Sequence, residues 1–232
     1  MSGITTVLFD LDGTLIDTAP DMAAALNRLL IAENREPLPF SQIRPVVSKG
    51  SLALVQLAFG DRLSETRVRE LQQNFLNFYS ENICIESRLF DGLGNLLDEL
   101  DNNAIRWGVI TNKPAWLTEP LLKQLDLFER SHCVVSGDTL PLRKPHPEPL
   151  LHACKLIQRS PNECVYIGDD ERDIIAGKAA GMTTLIAAYG YIDNGESPQN
   201  WGADGFIDSI ADLRSWLETA LFAEPTFLSR HI

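Results

Sequence analysis

Residues 5–18 read TTVLFDLDGTLIDT, and the two carboxylates in this stretch decide how the rest of the chain is read. Thr5–Phe9 is apolar and β-branched, the pattern of a short buried strand. The run ends in Asp10 and Asp12, with Gly13 directly behind them. Two like charges a few ångströms apart repel by about 4 kcal/mol at an effective dielectric near 20. A fold accepts that cost where something cationic or covalent happens, so the strand end is the first candidate site.

Outward from this stretch the chain changes rhythm twice. Thr18 reads as a helix N-cap with Asp21 three residues on, and Met22, Ala25, Leu26, Leu29 and Leu30 follow at helical spacing. Residues 51–59 and 64–79 read as further helices. From Phe90 strand and helix alternate. Helices are expected over 92–100, 115–125, 148–157, 173–180 and 210–221, and strands over 105–110, 133–135, 164–167, 183–187 and 205–207. Such alternation predicts an α/β fold, a Rossmann-like wound parallel sheet with helices on both faces. The all-helical block reads as an insertion after the first strand. The expected division is a discontinuous core, residues 1–16 and 83–232, and a helical cap, residues 17–82.

The chain's 232 residues carry a net charge of −12. That argues against nucleic acid or an anionic membrane as partner. It also means that an anionic substrate needs a locally positive site. Cys84, Cys133, Cys154 and Cys164 show no metal-ligand spacing and read as reduced thiols. No stretch approaches membrane-spanning length. These features predict a soluble cytoplasmic protein; they leave open a monomer or homodimer, and the small-molecule partner is read from the motifs that follow.

In an open parallel sheet, ligands bind beyond the carboxyl ends of the strands. The apolar runs here end in Asp10-Leu11-Asp12-Gly13-Thr14, in Thr111-Asn112-Lys113, in Ser136-Gly137-Asp138 followed by Lys144-Pro145, and in Gly168-Asp169-Asp170 with Asp173 one turn on. Period-two alternation lets Asp10 and Asp12 face one ligand. Asp10, the backbone carbonyl of Asp12, and Asp169 would make an all-oxygen site suited to Mg²⁺. The cation would relieve the repulsion and draw in a phosphate dianion, with Lys144 supplying a further positive charge and Thr111 a hydroxyl.

These four motifs, in this order, resemble those of the haloacid dehalogenase superfamily, phosphatase branch, over nearly the whole chain. The resemblance implies phosphoryl transfer in two steps. Asp10 would be the nucleophile that forms an aspartyl-phosphate, and Asp12 the general acid and then the general base. Asp173 would hold Lys144 or a metal-bound water, Asn112 would support the second motif, and Asp170 is a second acid beside Asp169 whose role the spacing leaves open. The stretches DGTLIDT, RLFDGLGNLLDEL and GDTLPLRKPHPEPL look most like bacterial phosphoglycolate phosphatases and their relatives. They imply 2-phosphoglycolate as substrate, with N-acetylmuramic acid 6-phosphate or another sugar phosphate as the alternative. Arg44, Ser48 and Lys49 in the insertion are candidates for contacts with the leaving group.

Three rivals share parts of this pattern. A phospho-accepting receiver module also has an acidic Mg²⁺ pocket, a threonine and a lysine, but stores its aspartyl-phosphate. The paired Asp10/Asp12 and the helical insertion argue against it. A sugar phosphomutase of the same family shares the chemistry up to the intermediate. A dehalogenase lacks the second carboxylate of the first motif, so Asp12 speaks against that branch.

Overall fold

The computed structural model of the protein describes residues 3–193 and 195–222. In chain order its strands are β1 (Thr6–Phe9), β2 (Ile16–Asp17), β3 (Arg88–Leu89), β4 (Arg106–Ile110), β5 (Val134–Val135), β6 (Cys164–Gly168), β7 (Thr183–Ala187) and β8 (Gly205–Ile207). Six of them form one parallel sheet in the order β5-β4-β1-β6-β7-β8. All four residues of β1 are buried, as a central strand covered on both faces requires. Alternation sends Val7 and Phe9 into one apolar layer and Leu8 into the other.

The helices are α1 (Ala19–Ala32), α2 (Phe40–Ile43), α3 (Ser51–Phe59), α4 (Glu65–Glu81), α5 (Leu93–Asn102), α6 (Ala115–Gln124), α7 (Glu148–Ile157), α8 (Glu171–Ala180) and α9 (Ile210–Phe222). The core helices bury one stripe each. In α5 this is Leu93, Leu96, Leu97 and Leu100, spaced i, i+3, i+4, i+7. In the insertion, Leu26 and Leu29 of α1 meet Leu54 and Val55 of α3 and Leu71, Phe75 and Tyr79 of α4 in one buried cluster, which continues into the sheet layer. A 3₁₀ turn over Arg44–Lys49 links α2 to α3. The antiparallel pair β2 and β3 carries the chain out to the insertion and back, with Ile16 opposite Leu89 and Asp17 opposite Arg88. No helix among the described residues is long and apolar enough to cross a membrane.

Two local expectations are corrected. Thr18 precedes α1 but its side chain caps nothing there; the hydroxyl donates to Asp12 Oδ1 at 2.6 Å instead. Asp21 belongs to no capping box. Its buried carboxylate accepts from the backbone N–H of Ile85, Glu86 and Ser87 at 2.8–3.1 Å and from the Ser87 hydroxyl at 2.6 Å, tying α1 to the returning strand. The helix expected to open at Asp173 opens at Glu171, because Asp170 accepts the Arg172 N–H and acts as its N-cap.

Candidate active site

From β1 the chain winds outward through β4 to β5 and then crosses back to β6 on the other side of β1, so the crevice of the switch lies at the ends of β4, β1 and β6. Asp10 stands there, 7% exposed. Gly13 then takes φ +83°, a left-handed turn. A Cβ on Gly13 would lie 2.2 Å from Asp169 Oδ2. The turn after β1 and the end of β6 are thus in direct contact.

Asp10, Asp169 and Asp173 each place one carboxylate oxygen within 4.8 Å of the others, and all three are buried. The Lys144 ammonium sits 2.7 Å from Asp10 and 2.6 Å from Asp173, with the Tyr166 hydroxyl at 2.8 Å and the Ile110 carbonyl at 3.0 Å. Burial alone would push the lysine down, but Asp10 and Asp173 outweigh it and hold its pKa above the ordinary value. One ammonium does not neutralise three acids. Burial first, and then the charge of Asp173, raise the Asp10 carboxyl well above the usual carboxylate range despite Lys144. The same two causes, in the same order, raise Asp169 to about 7. Buried hard oxygen donors with excess negative charge are the donor set that suits a divalent cation such as Mg²⁺.

Asp12 faces the cavity next to Asp10. Its carboxylate receives the Thr18 hydroxyl and an ion pair from Lys113. Lys113 is 8% exposed and also reaches the Tyr79 hydroxyl of α4 at 3.2 Å. Sequence reasoning assigned Lys113 no role. Its place two residues after Thr111 at the end of β4 was the available signal, since alternation aims both to one side. Thr111 lines the cavity, and its Oγ1 accepts the Lys113 N–H at 3.1 Å. Asn112 brackets the backbone of Lys144, donating to its carbonyl at 2.9 Å and accepting its N–H at 3.1 Å.

The two acids left open by spacing separate cleanly. Asp173 joins the carboxylate cluster. Asp170 turns to Arg172 (Nε at 2.8 Å) and Lys49 (3.1 Å). Burial opposes its ionisation, but these cations and the Arg172 N–H bring its pKa down to about 2. From the insertion, the Ser48 hydroxyl lies 2.7 Å from Asp169 Oδ2 and 3.2 Å from the Asp12 carbonyl. A single proton serves only one of them, and the nearer is Asp169. Lys49 pairs with Asp170 and Glu196. Arg44, expected near the leaving group, does not line the cavity. Its guanidinium donates to the Gly190 and Tyr189 carbonyls and lies over the Tyr191 ring.

The cavity beside Asp10 and Lys144 has a volume of about 430 Å³. Its floor is the strand ends, and its far wall is the insertion, with Met22, Val47, Leu52, Leu76 and Tyr79.

The model of the haloacid dehalogenase-like hydrolase family matches residues 4–181. Over 218 residues the chain is 41% identical to the N-acetylmuramic acid 6-phosphate phosphatase of Pseudomonas aeruginosa, covering 94% of this chain and 96% of that protein. It is 43% identical over 203 residues to the phosphoglycolate phosphatase of Xylella fastidiosa, covering 88% of each. Among solved structures, a predicted phosphoglycolate phosphatase from Haemophilus somnus superposes with a TM-score of 0.82 at 28% identity, covering 93% of this chain and 99% of that one. A family match that spans residues 4–181, with relatives above 40% identity over most of the chain, shows that the chain belongs to the haloacid dehalogenase-like hydrolases.

Proposed function

We propose that this chain is a Mg²⁺-dependent phosphomonoesterase working through an aspartyl-phosphate on Asp10, with residues 17–82 as a cap over the reaction. The observation that carries the reading is the meeting of Asp10, Asp12 and Lys144 in one cavity beside a buried carboxylate cluster. Asp10, Asp169 and the Asp12 carbonyl would hold Mg²⁺, which when bound offsets the charge of the phosphoryl oxygens and acids alike. In the first step an Asp10 oxygen bonds to phosphorus and the ester P–O bond breaks, while Asp12 gives its proton to the departing alkoxide. In the second step Asp12 takes a proton from water, the water oxygen bonds to phosphorus, and the Asp10–phosphorus bond breaks. Phosphate leaves and both carboxyls return to their starting states. Lys144 stabilises negative charge developing beside Asp10. The Thr111 hydroxyl, whose oxygen already accepts the Lys113 N–H, keeps its proton for a phosphoryl oxygen. Lys113 and Thr18 hold the Asp12 carboxylate in place for both transfers.

The motifs put 2-phosphoglycolate first among substrates. The cavity favours the larger candidate, a sugar 6-phosphate such as N-acetylmuramic acid 6-phosphate. Its volume lies within the ~300–1,000 Å³ of pockets that enclose drug-sized ligands, and a two-carbon acid would leave the apolar wall of the insertion facing water. Phosphate release from both esters in the presence of Mg²⁺ tests the reading. The Asp10→Asn variant should fold and release nothing. Turnover by that variant, or none by the native chain on any small ester, would overturn it.

A further inference from the structure

Five cations line the cavity: Lys49, Lys113, Arg143, Lys144 and Arg172. Four have carboxylate partners. Lys144 pairs with Asp10 and Asp173, Lys113 with Asp12, Lys49 with Asp170 and Glu196, and Arg172 with Asp170. The Arg143 side chain has no ion-pair, hydrogen-bond or ring partner among the described residues, and the residue is exposed while lining the cavity. The four aspartates of the lining, Asp10, Asp12, Asp170 and Asp173, are all matched to those other cations. In a chain of net charge −12, the cavity therefore keeps one guanidinium that no protein acid neutralises. Arg143 directly precedes Lys144, so the loop that brings an ammonium to Asp10 also offers a fork of donors further out.

We propose that Arg143 is a specificity-determining residue that binds a carboxylate on the leaving group, making the substrate class phosphate monoesters of acids. The proposal rests on the phosphomonoesterase reading and adds to it the chemistry of the far end of the ligand. The phosphate goes to the metal, Lys144 and Thr111. A second anion then meets the planar fork, whose paired N–H groups match the two oxygens of a carboxylate. Arg143 and Lys144 are adjacent, their Cα atoms about 3.8 Å apart, and both line the cavity, so one loop would serve both ends of the ligand. A short hydroxy acid and a sugar with an acid side arm share this group.

The test uses two ester pairs that differ in the carboxylate. One pair is N-acetylmuramic acid 6-phosphate and N-acetylglucosamine 6-phosphate, and the other is 2-phosphoglycolate and ethyl phosphate. For the native chain and for Arg143→Met, the kcat/KM ratio of acid to neutral ester is measured within each pair. The substitution should lower the ratio about tenfold, equivalent to about 1.4 kcal/mol, chiefly through KM, and Arg143→Lys should restore part of it. A fall confined to the sugar pair identifies a sugar acid, and a fall confined to the short pair identifies a hydroxy acid. Ratios that do not move in either pair overturn the assignment. Absence of phosphate release by the native chain from all four esters would instead remove the phosphomonoesterase reading, and this proposal with it.

Discussion

Without metal, the carboxylate cluster should make the protein less stable as pH rises from about 4 to about 7. Asp169 is 2% exposed. Burial, and then Asp173, carry its carboxyl from 3.8 to about 7. The folded protein thus keeps a proton that the unfolded chain has already released. The sign follows from linkage: stability is full below the unfolded value and is lost as pH climbs through the folded one. A gap of about three units, at about 1.36 kcal/mol per unit, is worth about 4 kcal/mol. Asp10 acts in the same direction. Asp170, held near 2, loses its stabilising contribution only as pH falls below about 4, so it is constant across this window and does not mask the trend. The assay is urea unfolding followed by circular dichroism across this window, in chelator and then in excess Mg²⁺. Asp169→Asn should remove much of the slope, and Mg²⁺ should flatten the native curve by binding the folded state alone. Chelated native protein whose stability is level or rising across the window, or an Asn variant with the native slope, would refute the reasoning.

Other consequences are local. Gly13→Ala puts a Cβ 2.2 Å from Asp169 Oδ2 and 2.8 Å from the Tyr191 ring, at φ +83°. Left-handed strain plus overpacking should cost about 2–5 kcal/mol in thermal unfolding. Lys113→Met leaves Asp12 held by Thr18 alone, so kcat should fall about tenfold, less than the ~10²–10⁴-fold worth of a general acid–base group, with an unchanged far-ultraviolet spectrum. Asp21→Ala strands the donors of Ile85, Glu86 and Ser87. At about 1.5–3 kcal/mol for a hydrogen bond to a charged group, it should weaken the join between insertion and core and speed proteolysis near Ile85.

The sequence by itself determined the layers and the sheet edge at which the acids gather. Alternation and apolar runs are local signals, so the buried Thr6–Phe9, the stripe of α5 and the strands near residues 106, 165 and 184 were legible, as was the delivery of Asp10, Thr111, Lys144 and Asp169 to the carboxyl ends of strands. Partnerships across the chain were not. Whether Asp170 or Asp173 enters the cluster depends on where α8 begins, and that follows from Asp170 capping the helix and Arg172 and Lys49 drawing it aside. Lys113 meets Asp12 across 101 residues, and Ser48 meets Asp169 across 121. Arg44 looked like a ligand contact and instead holds the carbonyls of a core loop. A charged side chain carries no mark of its partner in the one-dimensional pattern, because the pairing energy exists only once the sheet order and the seat of the insertion bring the two groups together in a low-dielectric interior.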